Sequence, residues 1–523
     1  MALAEKETEC RRQRINNLDG RNQMNKRLLR ISALIIILIA WGCDKPNELL
    51  RAPVVGIVQN NQVPILIKVA NAAKVRIEYQ KADAENSAFT EWGTLSDRNG
   101  LSTNLNLNNI DDDTEYKYRV EFENGKHSQW YQFKSFPAVG KPGKFSFVFS
   151  ACMREKYLGF NIFEKIEQFS PTFVALLGDQ MYGDYDGDLN TLEKYNANDS
   201  LRKKMLAEGE TMLSDKTVLQ AFRNKYSRVF DENYQKMASR FPLMATWDDH
   251  DFGKDNSDGA YPYKEEAKRV FKENYPAYPF EDEEGGIYYK FSISDIDIFV
   301  LDARWYRAPM QNAEGEGKKM LGDEQLSWLF NGLKESKASV KIVFSSVSLN
   351  DYGGDTSSGR LGYDSWMGYK FERNKFLSFV EENNIQGVLV FSGDQHYPSA
   401  HILNWQAPLN AVSHSEKVIE YSLHDLGYAV FDFSASPLNY KRAAGHPLTP
   451  ENQGNPAFSF EIFRPDWAMP RDTAEDTPLV IGSVFGLAEV DTESSPRKIS
   501  VTFYELNPEI AEMAEIFRVG ITF

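Results

Sequence analysis

Strand after strand in this chain is apolar and then stops at a residue able to hold a metal ion or a phosphate group. Phe145–Ala151 delivers Cys152, and Thr172–Gly178 delivers Asp179, with Tyr182 three residues further on. Pro242–Trp247 runs into Asp248, Asp249, His250 and Asp251, Ile296–Leu301 into Asp302 and Arg304, and Gly387–Gly393 into Asp394 and His396. Lys341–Ser348 ends beside Asn350 and Asp351. Apolar runs of this length read as buried strands. Segments of helical spacing separate them: 159–169, 321–333, 372–383, and 216–240 with Leu219, Phe222, Tyr226, Val229 and Phe230 on one face. The pattern predicts an α/β layer architecture. In open α/β sheets ligands bind beyond the carboxyl ends of the strands, so these residues are expected to converge in one crevice. The acidic, polar stretch 184–215 reads as an inserted loop or lid.

Carboxylates drawn into one cleft of low dielectric repel one another, and persist only if protonated or neutralised by cations. Asp179, Asp248, Asp249, Asp394 and His396, with Cys152 and Tyr182, exceed what a single ion needs, so two or more metal ions are the natural inference. Metals about 3.5–4 Å apart clamp phosphate oxygens and lower the pKa of a bound water, which suits phosphoester hydrolysis. Arg304 is a candidate for holding phosphoryl oxygens with both prongs of its guanidinium. Taken singly, each residue has a plainer alternative. Asp248 or Asp251 can cap a turn, His250 can be a hydrogen-bonded loop residue, Arg304 and Arg307 can form structural ion pairs, and Cys152 can be a small core side chain. Repetition at successive strand ends is what favours chemistry. His127, His414, His424 and His446 lie outside such settings, while His401, five residues after His396, is a candidate for the surrounding shell.

Upstream, a basic stretch from Met24, an apolar core Ile31–Trp41 and the residues Gly42-Cys43-Asp44 have the three sections of an export signal. The apolar run is short for a bilayer span. Ala40-Trp41-Gly42-Cys43 resembles a bacterial lipobox, which would make Cys43 the lipidated first residue of an exported protein. Membrane association is then expected through that lipid alone, facing the periplasm or the exterior of a bacterial cell. Cys10 and Cys43 lie in or before this region 1–43, so only Cys152 is left and a disulfide framework is excluded. The formal net charge is −16 although residues 1–43 are net basic, the opposite of the balance a nucleic-acid binder shows.

Residues 44–140 contain short alternating strands, 65–70, 75–79, 114–122 and 129–136, with polar turns and no helix-period run, which describes a β-sandwich. Tyr116-Lys117-Tyr118 resembles the tyrosine-bearing strand of fibronectin type III-like domains. The Gly- and Pro-bearing segment 138–144 marks a boundary, after which residues 141–523 form the catalytic part.

From Phe145 almost to the C-terminus the chain resembles the PhoD-like alkaline phosphatases of the calcineurin-like metallophosphatase superfamily. The matching segments run in order: Ser150–Cys152, Gly178–Tyr182, Trp247–Gly253, Leu301–Arg307, Asp364–Tyr369 and Ser392–His396, with Phe485–Asp491 similar to the family's closing strand. The resemblance implies an α/β fold with a central two-layered β-sheet core flanked by helices. It also implies a phosphomonoesterase or phosphodiesterase using metal-activated hydroxide at a centre of Fe3+ and Ca2+. Cys152 and Tyr182 would ligate the iron, Asp179 would bridge, Asp249, Asn256 and Asp394 would be further metal ligands, and His396 a ligand or its neighbour. His250 would be the leaving-group acid. One departure is that the family commonly places Asn before Asp after the Asp-Asp-His motif, whereas here the order is Asp255-Asn256. Either can be the ligand, and Asn256 is the expected one. The protein is expected to act on a phosphate ester as a monomer. The rival from another class is a non-catalytic surface binding protein that keeps the fold.

Overall fold

The computed structural model describes residues 47–156, 162–184, 214–350, 364–404, 417–441, 460–465, 467, 481–507 and 511–523. Cys43, the apolar run before it and most of the 184–215 insertion lie outside these residues. Asn47–Phe523 form one compact unit. Among the described residues no helix is long and apolar enough to cross a membrane.

The N-terminal part is built from two antiparallel sheets. Val54–Val55, Gln62–Lys68 and Ser102–Asn108 make one, and Ala88–Phe89, Ala73–Lys81, Glu115–Phe122 and Tyr131–Lys134 the other, with Gly93–Leu95 also paired to Ala73–Lys81. The two-residue period turns Val63, Ile65, Ile67, Val75, Ile77, Tyr116, Tyr118 and Val120 into a shared core. Ser102–Asn108 was not among the expected strands, because its asparagines disfavour strands, but burial of Leu105 and Leu107 outweighs that preference. This part leans on the rest of the chain. Val54, Ile57, Leu66 and Phe136 pack in the main core, the Arg51 guanidinium lies 3.4 Å from the Phe230 ring centre, and Tyr118 Oη donates to Ser239 O at 2.9 Å.

Two seven-stranded mixed sheets form the larger part. One runs Leu243–Thr246, Phe173–Leu177, Lys144–Ser150, Val484–Asp491, Lys498–Asn507, Glu512–Thr522, Val418–Ser422. The other runs Tyr289–Ile293, Ile296–Val300, Lys341–Phe344, Val388–Ser392, Val430–Ser434, Ser399–Leu403, Phe460–Phe463. They face each other through aromatic rings, with Phe147 5.0 Å and Phe149 4.8 Å from Phe391. In the first sheet Lys144–Ser150, Phe173–Leu177 and Leu243–Thr246 are parallel, and in the second so are the four strands from Ile296–Val300 to Val430–Ser434. Their carboxyl ends open on the same rim.

Helices Ile162–Gln168, Gly322–Glu335 and Lys370–Glu382 lie close to the stretches read as helical. The 216–240 stretch instead forms two helices, Asp215–Val229 and Glu232–Ala238. Asp231 caps the second, accepting from Tyr234 N at 2.7 Å, so the chain is interrupted where a polar cap competes with helix continuation. Gly178 permits the tight approach of two rim turns: its φ is +103°, and a Cβ there would lie 2.5 Å from that of Asp248.

Candidate metal centre

The residues at the rim sit on unusual backbone. Cys152 (φ 61°), Asp179 (φ 54°), Asp394 (φ 68°) and His396 (φ 60°) are all in the left-handed region, as is Asn256 (φ 59°). Non-glycine residues avoid that region at a cost of about 1–2 kcal/mol each, and such strain concentrates at functional sites. Fixed contacts hold it here. Cys152 N donates to Gly178 O at 3.2 Å and Met153 N to Asp179 O at 2.7 Å, tying the first two strand ends together. Asp251 accepts from Gln180 N, Met181 N and Asp248 N at 2.9, 3.0 and 3.1 Å, tying the second to the third. His396 N donates to Ser436 Oγ at 2.8 Å.

Among the described residues, four sets of side chains bring three possible metal-donor atoms within 4.8 Å of one another: Cys152, Asp179 and His396; Asp179, Asp249 and His250; Asp179, Asp248 and Asp394; Asp248, Asp249 and Asp364. Asp179 belongs to three of them, and among the described residues its buried Oδ1 has no hydrogen-bond partner. A buried carboxylate oxygen with no donor is costly unless a cation meets it. The electrostatics agree. Burial, with the neighbouring carboxylates adding to it, lifts Cys152 well above its ordinary value, and burial lifts Asp179 likewise against the opposing pull of His250. Burial does the same to Asp394, with Asp364 and Asp248 adding to it. Thiol and carboxyls therefore cling to protons that a cation would displace, which is how a metal site of this composition behaves. Tyr182 is wholly buried, its ring 4.2 Å from that of His250 and 4.7 Å from that of Tyr440.

His250 holds a short contact, Nδ1 to Asp184 Oδ1 at 2.5 Å, with Nε2 3.8 Å from Asp255 Oδ1. Burial opposes its protonation, but Asp249, Asp184 and Asp179 outweigh it and raise the imidazole well above its ordinary value. Asp184 escaped the sequence reading. It stands first in the acidic insertion, and its closeness to Tyr182 was the only available signal. Asp184 Oδ2 also accepts from Asp255 N at 2.7 Å.

Two placements differ from expectation. Asn256 is exposed, donating its backbone N–H to Asp249 Oδ2 at 2.6 Å and its side chain to Asp255 Oδ2 at 2.6 Å. Its backbone N–H thereby orients Asp249, and Asp255 joins none of the four sets. Arg304, expected to grip phosphoryl oxygens, is fully buried with all three guanidinium nitrogens on protein oxygens. Nε donates to Asp248 Oδ1 at 2.7 Å, Nη1 to Asp364 Oδ1 at 2.8 Å and Ser257 O at 3.1 Å, and Nη2 pairs with Asp364 Oδ2. In this arrangement it has no donor to offer a substrate, because the two carboxylates satisfy it first. Asp302 also serves the scaffold, accepting from Trp247 Nε1 and Arg304 N at 2.8 Å each. His401 joins none of the sets; burial, with Arg464 and Arg373 adding to it, pushes its pKa down to about 3.

Comparison with known proteins points the same way as the geometry. The PhoD-like phosphatase family model matches residues 147–453. Alkaline phosphatase D of Bacillus subtilis (strain 168) is 26% identical over 291 residues, covering 50% of this chain and 48% of that protein, so the match spans about half the relative's length. A solved structure of PhoD superposes with a TM-score of 0.67 at 18% identity, covering 91% of this chain and 92% of the other. Purple acid phosphatase PPD1 from yellow lupin (Lupinus luteus) seeds does so at 0.54 and 13%, covering 91% and 75%. These two likenesses establish a shared mixed α/β fold, and the family match, extending over more than half the sequence and all four metal-capable sets, decides the assignment: this chain belongs to the PhoD-like phosphatase family.

Proposed function

We propose that this protein is an exported, metal-dependent phosphoric ester hydrolase acting on phosphomonoesters or phosphodiesters. The observation that carries the reading is Asp179, shared by three metal-capable sets, with one buried oxygen that accepts no hydrogen bond from the described residues. Cys152, Asp179, Tyr182 and His396 would hold one ion, taken to be ferric iron. Asp179, Asp249 and Asp394, with the Asp255–Asn256 turn alongside, would hold calcium. Bound there, the cations would neutralise the carboxylates, grip phosphoryl oxygens and lower the pKa of a coordinated water.

The chain's own part centres on His250. Asp184 fixes the ring through Nδ1 and stabilises its protonated form, and Tyr182 backs it, so Nε2 is the atom that gives a proton to the leaving oxygen. Positive charge bound nearby would draw that raised pKa back toward the working range. Export and lipid anchoring at Cys43 belong to the same reading, supported by the order of basic, apolar and small residues before it. Action as a monomer belongs to the same reading. The N-terminal sandwich is proposed to be fibronectin type III-like. Tyr116 Oη accepts from Asp111 N at 2.9 Å, a tyrosine bonded back to the backbone just upstream as in a tyrosine corner.

The test combines elemental analysis with parallel assays on p-nitrophenyl phosphate and bis(p-nitrophenyl) phosphate. Stoichiometric iron and calcium, visible charge-transfer colour, and loss of turnover on chelation and in Asp179→Asn are expected. Turnover that survives Asp179→Asn would overturn the mechanism.

A further inference from the structure

The set Asp248, Asp249 and Asp364 has the spacing of a metal site, but a protein cation already stands in it. The Arg304 guanidinium reaches Asp248 Oδ1 through Nε at 2.7 Å and Nη2 at 2.6 Å, grips both oxygens of Asp364, and lies 3.9 Å from Asp249. Ser346 Oγ donates to the same Asp248 oxygen at 2.7 Å. Arg307 approaches from the far side, Nη2 to Asp364 Oδ1 at 2.9 Å, and is itself held by Tyr369 Oη at 2.9 Å from Nε. Two arginines thus balance two carboxylates. Among the described residues, Asp179 and Asp394 have no guanidinium partner, and Asp249 meets Arg304 only at 3.9 Å while accepting from the His250 and Asn256 amides.

Building on the metal-dependent reading above, we propose that Arg304 is a fixed cation of the metal centre, a positioning residue that withdraws Asp248 and Asp364 from metal binding and so leaves the ions to Asp179, Asp249 and Asp394. The geometry requires arginine. Asp248 and Asp364 are met from different edges of one planar group, which a lysine ammonium on a single stem does not reproduce. The arrangement also forbids the simple alternative in which Arg304 swings to a phosphoryl group. That motion would strand the buried Asp248 carboxylate, the costly half of a broken buried pair, and leave the half-buried Asp364 to Arg307 alone. Without Arg304, Asp248 and Asp364 would either keep protons or draw a metal ion away from Asp179.

The experiment uses the full chain with Arg304→Met, Arg304→Lys, Asp364→Asn and the double variant Arg304→Met/Asp364→Asn. Each is loaded with iron and calcium, dialysed and titrated for metal affinity, beside circular dichroism of the chelated protein. Arg304→Met is expected to shift metal affinity by about 10–100-fold, as removal of groups that orient ligands does. Partial recovery is expected in Arg304→Lys and on adding non-denaturing guanidinium to Arg304→Met. The double variant should lie closer to wild type than Arg304→Met, because one of the two carboxylates that Arg304 balances is then uncharged. If Arg304→Met does not fold, Asp364→Asn and the double variant decide: the proposal requires the double variant to fold and bind metal. A folded Arg304→Met with unchanged metal affinity but a raised KM would overturn the proposal in favour of a phosphoryl clamp; unchanged affinity and KM would reduce Arg304 to a structural residue. Wild-type protein free of iron and calcium would instead overturn the metal-dependent reading itself.

Discussion

Asp251 ligates nothing in the proposed centre, yet it fixes the two turns that carry Asp179 and Asp248, and substituting it should have a graded effect. Its Oδ1 accepts from Gln180 N at 2.9 Å and Met181 N at 3.0 Å, and its Oδ2 from Asp248 N at 3.1 Å, all buried. Asp251→Ala leaves three buried amides without acceptors. At about 1–3 kcal/mol per unsatisfied donor, with some relaxation, the loss is about 3–6 kcal/mol. Asp251→Asn keeps one carbonyl oxygen in the Oδ1 position but turns an NH2 toward the Asp248 N–H. One bond is lost rather than three, at about 1–3 kcal/mol. Unfolding entropy of about 2.1 cal/mol/K per residue makes 1 kcal/mol worth about 1 °C in a unit of this size. Scanning calorimetry in chelator, so that bound ions do not contribute, should therefore rank wild type above Asp251→Asn above Asp251→Ala, the second drop two to three times the first. Equal drops, or both variants within about 0.5 °C of wild type, would refute the three-amide account.

Asp184→Asn should lower kcat by about tenfold or more and move the alkaline limb of the rate profile to lower pH, since the carboxylate that keeps His250 protonated is gone; an unmoved limb would remove Asp184 from the acid's support. Glu372 is pushed up by burial to about 7 from 4.5, outweighing the hydrogen bond it accepts from Leu321 N at 2.7 Å. The folded state binds this proton more tightly than the unfolded chain, so native stability falls as pH rises from about 4.5 to 7, by an upper bound of about 3 kcal/mol. Glu372→Gln cannot ionise and should lack that decline, its Tm rising above that of wild type between pH 5 and pH 8. Parallel Tm profiles would count against the assignment.

What the sequence revealed and what it hid have physical causes. Buried strands leave long apolar runs, so the ends of Lys144–Ser150, Phe173–Leu177, Leu243–Thr246 and Val388–Ser392 were visible together with the residues that follow them. Metal-donor chemistry at those ends was visible too. Partnership was not. Arg304 reads as an arginine near a strand end, and nothing in its neighbours says that its fork closes on Asp364, sixty residues later. Asp184 was masked by the acidic insertion it begins. The helix break at Asp231 was missed because the apolar stripe continues through it while the cap acts locally.

The composition of the chain changes at 138–144, yet Val54, Ile57, Leu66 and Phe136 are packed among the side chains of the larger part. A protein truncated at that boundary would open cavities beside Phe230, which loses the Arg51 cover, and would strand the Ser239 carbonyl that Tyr118 caps. Ser239 lies four residues before Leu243–Thr246, the strand that presents Asp248 and Asp249. The sandwich is therefore part of the foundation of that strand, and not an exchangeable cassette. Grafting a different module onto residue 141 would have to rebuild this apolar floor before the rim above it could take its shape.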